Sequence, residues 1–141
     1  MDNIIIRKAA FEDLEGICDV ISEQLAQTIP PTRYWWSIME NKYIHTYVIE
    51  YKREIIGTAT LHVLKKLIHG GTYVGLIEDV CISKRFSGKG LGKQIIDALV
   101  EVAKEEKCYK VILNCSEENV GFYKKCGFEQ KEVQMRLDIK E

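Results

Sequence analysis

The chain has 141 residues, 46% of them hydrophobic and 29% charged, with a formal net charge of −1; one globular domain over residues 1–141 accounts for that length. Interspersed charge signs leave no basic stripe for nucleic acid or an anionic membrane. No apolar run approaches the ~20 residues of a spanning helix, and the N-terminus lacks a basic segment leading into an apolar core, so a cytoplasmic protein is expected.

Ile4, Ile5 and Ile6 predict a first strand. Glu12 to Gln27 reads as a helix, with Leu14, Ile17, Cys18, Ile21 and Leu25 at helical spacing. Pro30 and Pro31 stop it. A second helix opens at Tyr34, Trp35, Trp36, Ile38 and Met39; without a surrounding basic stripe these aromatics read as core or subunit packing rather than a stacking platform. Tyr43 to Tyr51 and Ile55 to Val63, separated by Lys52, Arg53 and Glu54, predict an antiparallel hairpin, with Gly57 marking a bulge. After Lys65 to His69 and the turn Gly70-Gly71, a strand runs from Tyr73 to Ile82.

Between Ile77 and Lys93 the pattern is strand, glycine-rich loop, helix, the helix beginning near Gly90 and ending around Glu106. A helix start presents unpaired N–H groups and the positive end of the macrodipole. Gly88, Gly90 and Gly92 have no Cβ to block an approaching ligand, and Arg85, Lys89 and Lys93 add charge. A glycine turn that merely joins two elements is the plain alternative, but strand, spacing and charges together favour a cradle for a phosphate or pyrophosphate. No Gly-Lys-Ser/Thr ends the loop, so it is not a P-loop of the triphosphatase kind.

Cys108 to Cys115 predicts another strand, Ser116 caps a short helix ending before Gly127, and the alternation from Val133 to Ile139 predicts a last strand. The order β-α-α-β-β-β-α-β-α-β describes an α/β chain with a mixed sheet flanked by helices. Cys18, Cys81, Cys108, Cys115 and Cys126 are odd in number and lack Cys-x-x-Cys spacing, so reduced, mostly buried thiols are expected. His45, His62 and His69 show no metal-ligand spacing, and no metal is expected.

Arg85, Gly88 and Gly90 meet the pattern Arg/Gln-x-x-Gly-x-Gly/Ala, after a strand and before an amphipathic helix, and in this the chain resembles the GNAT N-acetyltransferases. The resemblance implies the GNAT fold and acetyl-CoA as co-substrate. It implies that the main chain of Val80, Cys81 and Ile82 holds the pantetheine, that Arg85, Gly88, Lys89, Gly90, Leu91, Gly92 and Lys93 hold the pyrophosphate, and that Asn119 contacts the cofactor. Tyr123 would protonate the departing sulfur; a buried tyrosine with a structural hydroxyl is the alternative. Cys81 and Cys115 have no evident activating neighbour, so direct attack by the amine is expected rather than an acetyl-cysteine intermediate.

The runs Lys66-Leu67-Ile68-His69, Glu78-Asp79-Val80, Cys108-Tyr109-Lys110 and Asn119 to Phe128 resemble the glucosamine-6-phosphate N-acetyltransferases within that superfamily. This implies amino-sugar metabolism leading to UDP-N-acetylglucosamine. It also implies a sugar-phosphate site of Lys66, His69, Glu78, Asp79, Tyr109 and Lys110, partly supplied by the second subunit of a homodimer, with Thr28 adding a phosphate contact. A sugar phosphate needs cations outside the cofactor loop, which Lys66, His69 and Lys110 can supply; taken alone, each lysine is as well a solvated surface charge. By strand alternation the adjacent Glu78 and Asp79 would face opposite sides. Two positions depart from the resemblance. Asn114 stands where an acid meets the sugar amine, which leaves deprotonation to water, Glu78 or Asp79; Asp138 stands where a basic residue is expected, and Arg136, two positions earlier, is the substitute. Two further readings stay open: a GNAT enzyme for another small amine or a peptide amine, and a non-catalytic acetyl-CoA-binding module.

Overall fold

The β-branched runs of the sequence form a single five-stranded sheet. The computed structural model describes residues 2–25 and 28–140. Its strands are β1 (Ile4–Lys8), β2 (Ile44–Tyr51), β3 (Glu54–Lys66), β4 (Thr72–Ile82) and β5 (Cys108–Leu113); its helices are α1 (Leu14–Ser22), α2 (Thr32–Glu40), α3 (Leu91–Glu105) and α4 (Val120–Lys125). The sheet order is β1-β2-β3-β4-β5. Strands β1 to β4 pair antiparallel, whereas β4 and β5 run parallel and are joined by α3 as the crossover. The sheet is therefore mixed, as expected.

Val48 and Ile49 are successive residues of β2 and so point to opposite faces. Ile49 joins Ile56, Leu61 and Ile77 under Ile95, Ile96 and Leu99 of α3. Val48 joins Ala9, Ile17 and Trp35 on the face covered by α1 and α2. Trp35 is thus core, its indole N–H donating to the Phe11 carbonyl at 2.8 Å, while Trp36 is exposed with its ring edge-on to Phe11.

The first helix is shorter than its periodicity predicts. It opens as a 3₁₀ turn at Phe11–Asp13 and its α-helical part ends at Ser22; Gln27 lies outside the described residues. The bulge expected at Gly57 is present: the β2–β3 register slips immediately beside it, and a Cβ there would stand 2.9 Å from Cδ1 of both Ile49 and Ile82. A second bulge, not foreseen, lies in β4. Cys81 is opposite Thr58 and Glu78 opposite Thr60, so β4 carries one residue more than β3, and Asp79 takes a φ of 55°.

The last strand is the main departure. Among the described residues Val133 to Ile139 joins no strand, and Val133, Met135, Leu137 and Ile139 are 84% to 88% exposed. Alternation of apolar side chains gives a half-buried strand only where an edge and an apolar surface receive it. Here β5 is the edge of the sheet, and the C-terminal segment does not pair with it.

Candidate active site

Parallel pairing of β4 with β5 ends at Ile77 opposite Leu113. Beyond it β4 continues through Glu78, Asp79, Val80, Cys81 and Ile82 with no β5 partner, because β5 has ended and the chain turns away at Asn114. Past that point, the splay of the two strands, pairing has ended and the main-chain N–H and C=O groups of β4 have no β5 partner on that side. A cleft of about 320 Å³ lies at the end of β5, lined among others by Asn114, Cys115, Val120 and Tyr123. A second, of about 660 Å³, runs along β5 from Lys110 to Asn114 and under Gly127 to Gln134.

The loop leaving β4 has the geometry of an anion cradle. Gly88 (φ 75°) and Gly90 (φ 79°) are in the left-handed region, and no side chain caps α3. The first-turn N–H groups of α3, from Leu91, Gly92 and Lys93, therefore face outward for an anion. Gly92 has a packing role that its spacing does not suggest. It sits inside α3, where a Cβ would come within 3.0 Å of Phe122 Cζ, so its bare Cα also makes room for α4. The Arg85 guanidinium pairs with Glu54, and Lys93 pairs with Asp97 at 2.7 Å, which pulls the Lys93 ammonium pKa upward.

A tether from α1 holds the base of this loop. Glu23 accepts the Lys84 amide on Oε1 at 2.9 Å and the Ser83 hydroxyl on Oε2 at 2.8 Å. The Lys84 amide first, then the Ser83 hydroxyl, hold the Glu23 carboxyl below its usual range. Ser83 is buried, and its own amide donates to the Ile56 carbonyl at 2.8 Å. Motif spacing carries no trace of this contact, because the partners are 60 residues apart.

On the far side of the cleft, α4 presents Tyr123, its ring edge-on to Phe122 at 4.9 Å and to Phe128 at 6.1 Å. Burial, and then the neighbouring thiols of Cys115, Cys126 and Cys81, push the phenol pKa above its ordinary value, so the hydroxyl keeps its proton at neutral pH and can give it away. Burial likewise pushes up the Cys81 thiol, which disfavours a nucleophilic thiolate there. Asn119 is oriented by its Nδ2 donating to Ser116 Oγ at 3.1 Å, at the start of α4.

The acceptor-side candidates fall into two groups. Glu78 and Asp79 stand at the splay, both exposed, and the bulge at Asp79 breaks the alternation on which their opposite-face placement rested. Glu78 has a partner that sequence reasoning missed: His62 Nε2 lies 3.6 Å from its Oε1. Lys66, His69, Tyr109 and Lys110 gather at the other end of β5. The His69 ring, in a residue with φ 53°, meets Tyr109 edge-on at 5.2 Å, and Lys110 Nζ sits 5.4 Å from the Tyr109 ring centre. At about 3.3 Å per residue, the length of β5 puts roughly 16 Å between the two groups in one chain. Thr28 is exposed in the connection before α2, and Arg136 is exposed and pairs with Asp138 at 2.6 Å. The fold brings neither of them into the two groups. Among the described residues no group of three or more His, Cys, Asp or Glu is placed to hold a metal ion, and no helix is long and apolar enough to cross a membrane.

A splayed parallel pair, a bulged central strand and an anion loop opening the crossover helix are joined by a family match. The profile of the Acetyltransferase (GNAT) family covers residues 8–128. The chain belongs to the GNAT family. Its five-stranded mixed sheet with flanking helices is the GNAT fold, and enzymes of this family use acetyl-CoA as co-substrate. This GNAT chain is 48% identical over 101 residues to the glucosamine 6-phosphate N-acetyltransferase of Candida albicans, a match covering 71% of this chain and 67% of that one. It is 47% identical over 85 residues to the enzyme of the same name from Trypanosoma brucei brucei, covering 60% of this chain and 58% of that one. The crystal structure of glucosamine-6-phosphate N-acetyltransferase from Arabidopsis thaliana superposes with a TM-score of 0.92 at 31% identity, covering 99% of this chain and 100% of that one.

Proposed function

We propose that this GNAT chain transfers the acetyl group of acetyl-CoA to the 2-amino group of glucosamine 6-phosphate, by direct attack of the amine in a ternary complex. The observation that carries the reading is the 48% identity over 101 residues to a relative named for that reaction. In this reading the α3 cradle receives the pyrophosphate, and the open main chain of Val80 and Ile82 holds the pantetheine and polarises the thioester carbonyl. Holding both substrates in one cleft removes much of the entropy cost of the bimolecular step. Tyr123 protonates the leaving sulfur. The product feeds UDP-N-acetylglucosamine synthesis, and the protein works in the cytoplasm.

The separation of the two acceptor-side groups along β5 supports a homodimer as the working form. Lys66, His69, Tyr109 and Lys110 of one subunit then bind the sugar phosphate whose amine reaches the splay of the other. The unpartnered edge of β5 and the exposed apolar row from Val133 to Ile139 are the surfaces such a dimer would cover. The test is CoA release from acetyl-CoA with glucosamine 6-phosphate, glucosamine, glucosamine 1-phosphate, spermidine and a mixed peptide pool as acceptors. Strong preference for glucosamine 6-phosphate is the expected result. Turnover of spermidine or peptides in its place would keep the cofactor assignment and overturn the acceptor.

A further inference from the structure

We propose that His62, acting through Glu78, takes up the proton that the acceptor amine must lose before it attacks, doing the work of the acid that Asn114 is not; this rests on the amine-acetylation reading above. An aliphatic amine arrives at neutral pH mainly as its ammonium, which has no lone pair for attack. Asn114 can accept a hydrogen bond from that ammonium but cannot keep its proton. A different group must do so.

The sheet register brings that group to the mouth of the splay. The last pair of β4 with β5 is Ile77 opposite Leu113, so Glu78 and Asn114 are the next residues on the two strands. On the other edge of β4, Thr60 lies opposite Glu78 and His62 opposite Leu76, which makes His62 the diagonal neighbour of Glu78. Leu61 and Ile77 are buried beneath α3, so by alternation His62 and Glu78 lie on the opposite face. The two side chains approach to 3.6 Å between Nε2 and Oε1, just beyond hydrogen-bond distance, so a small side-chain rotation brings them into proton-transfer reach; they remain 31% and 51% exposed, open to a substrate. Along the strands His62 faces Ile44 on β2 and Leu76 on β4, neither of which titrates; among the described residues the acidic group it approaches is Glu78.

The chemistry favours the pair over either member alone. A carboxylate is a weak base toward an ammonium, whereas a neutral imidazole is a stronger one and can hold the proton once it has been passed on. Glu78 hydrogen-bonds the ammonium and offsets the charge of the imidazolium as it forms. One proton passes from the ammonium by way of Glu78 to His62, and then to solvent. The freed lone pair forms the C–N bond, and the C–S bond breaks as the tetrahedral centre collapses. The nitrogen's second proton leaves as the amide forms and makes good the one that Tyr123 gives to the thiolate. One proton is released per turnover, as the overall reaction requires. His62 is a positioning and proton-storing residue behind Glu78.

The test compares pH profiles of kcat and of kcat/KM for glucosamine 6-phosphate in the native enzyme, His62→Phe, His62→Gln and the double variant His62→Phe/Asn114→Asp. At pH 7 both single variants should lose about tenfold to a hundredfold in kcat, with KM for acetyl-CoA within about twofold. The deficit should shrink as pH rises toward the pKa of the amine, because the substrate then arrives deprotonated. Asn114→Asp should recover part of the loss. Profiles superimposable on the native one, a deficit equal at every pH, or a double variant no faster than His62→Phe alone would each overturn the role of His62. Absence of any sugar-dependent turnover in the native enzyme would instead remove the reading on which it rests.

Discussion

Glu23, at the end of α1, holds Ser83 at the base of the anion loop: its Oε2 accepts the Ser83 hydroxyl at 2.8 Å while its other oxygen takes the Lys84 amide at 2.9 Å. The carboxylate fixes the peptide from which the cradle starts, although it touches no residue of the cradle beyond Lys84. Glu23→Ala should therefore raise KM for acetyl-CoA by roughly threefold to tenfold and leave kcat within about twofold, since charge-assisted bonds are among the stronger ones. Ser83→Ala should do the same to a smaller degree. Steady-state kinetics with each substrate varied, alongside a thermal melt, check this; a fall in kcat with KM unchanged would count against it.

Gly92→Ala separates packing from ligand approach. The new Cβ would stand 3.0 Å from Phe122 Cζ, so the ring must swing, and Tyr123 lies edge-on to it at 4.9 Å. Overpacking costs about 1 to 3 kcal/mol, while exchanging glycine for alanine inside a helix returns about 1. The melting temperature should fall only slightly, whereas kcat should fall with the displacement of Tyr123. Gly90→Ala differs, because φ 79° costs an alanine about 1 to 2 kcal/mol and the Cβ enters the cradle. Its signature should be a raised KM for acetyl-CoA.

Tyr123→Phe should lower kcat about a hundredfold and leave CoA affinity, read by calorimetry, within about twofold. Burial raises the phenol pKa, so the native hydroxyl stays protonated throughout the neutral range and its ionisation can only add a falling limb above about pH 10. The variant should lack that limb.

Much of this was legible in the chain itself. The strand ending in Val80 and Ile82, the helix from Leu91 and the loop between them follow from apolar periodicity and glycine placement, which depend on local residues alone. The bulge at Asp79 does not, since a positive φ in a non-glycine residue leaves no mark in composition. The His62–Glu78 contact was hidden for the same reason, because pairing across β3 and β4 depends on a register that the bulge alters. Gly92 looks like Gly88 and Gly90 until Phe122 is placed against it. The Val133 to Ile139 alternation was visible, but alternation alone does not say which edge receives a strand, and among the described residues none pairs with it.

Asp13 links stability to pH. Its carboxylate accepts from Arg7 at 2.7 and 3.1 Å and from the Ala10 amide at 2.6 Å. Burial alone would raise its pKa, but the Arg7 and Ala10 hydrogen bonds and the Arg7 charge outweigh it, and the net direction is down. A carboxyl lowered in the folded state adds stability that is present above its unfolded pKa and is lost as pH falls through the folded one. Asp13→Asn should cost about 1 to 3 kcal/mol at pH 7, and the gap in melting temperature should narrow below about pH 4. Urea melts and thermal melts at pH 7 and pH 3 check both.

Leu137→Asp tests the dimer. Within one subunit Leu137 is 85% exposed, so an aspartate there removes no internal contact and the fold should melt within about 2 °C of the native protein. If the row of Val133, Met135, Leu137 and Ile139 is covered by a second copy, each buried side chain contributes about 1.5 to 3 kcal/mol, and a charge set in that row forfeits one such contribution and adds a desolvation cost. Sedimentation should then show the native chain at twice its 16.3 kDa subunit mass and the variant at that mass. Turnover should fall with dissociation, because in the proposed dimer Lys66, His69 and Lys110 serve the partner's splay, while CoA affinity persists in the monomer. A native chain that sediments as a monomer and still turns over glucosamine 6-phosphate would place all the cations and the reacting amine in one subunit, against the roughly 16 Å that β5 sets between them.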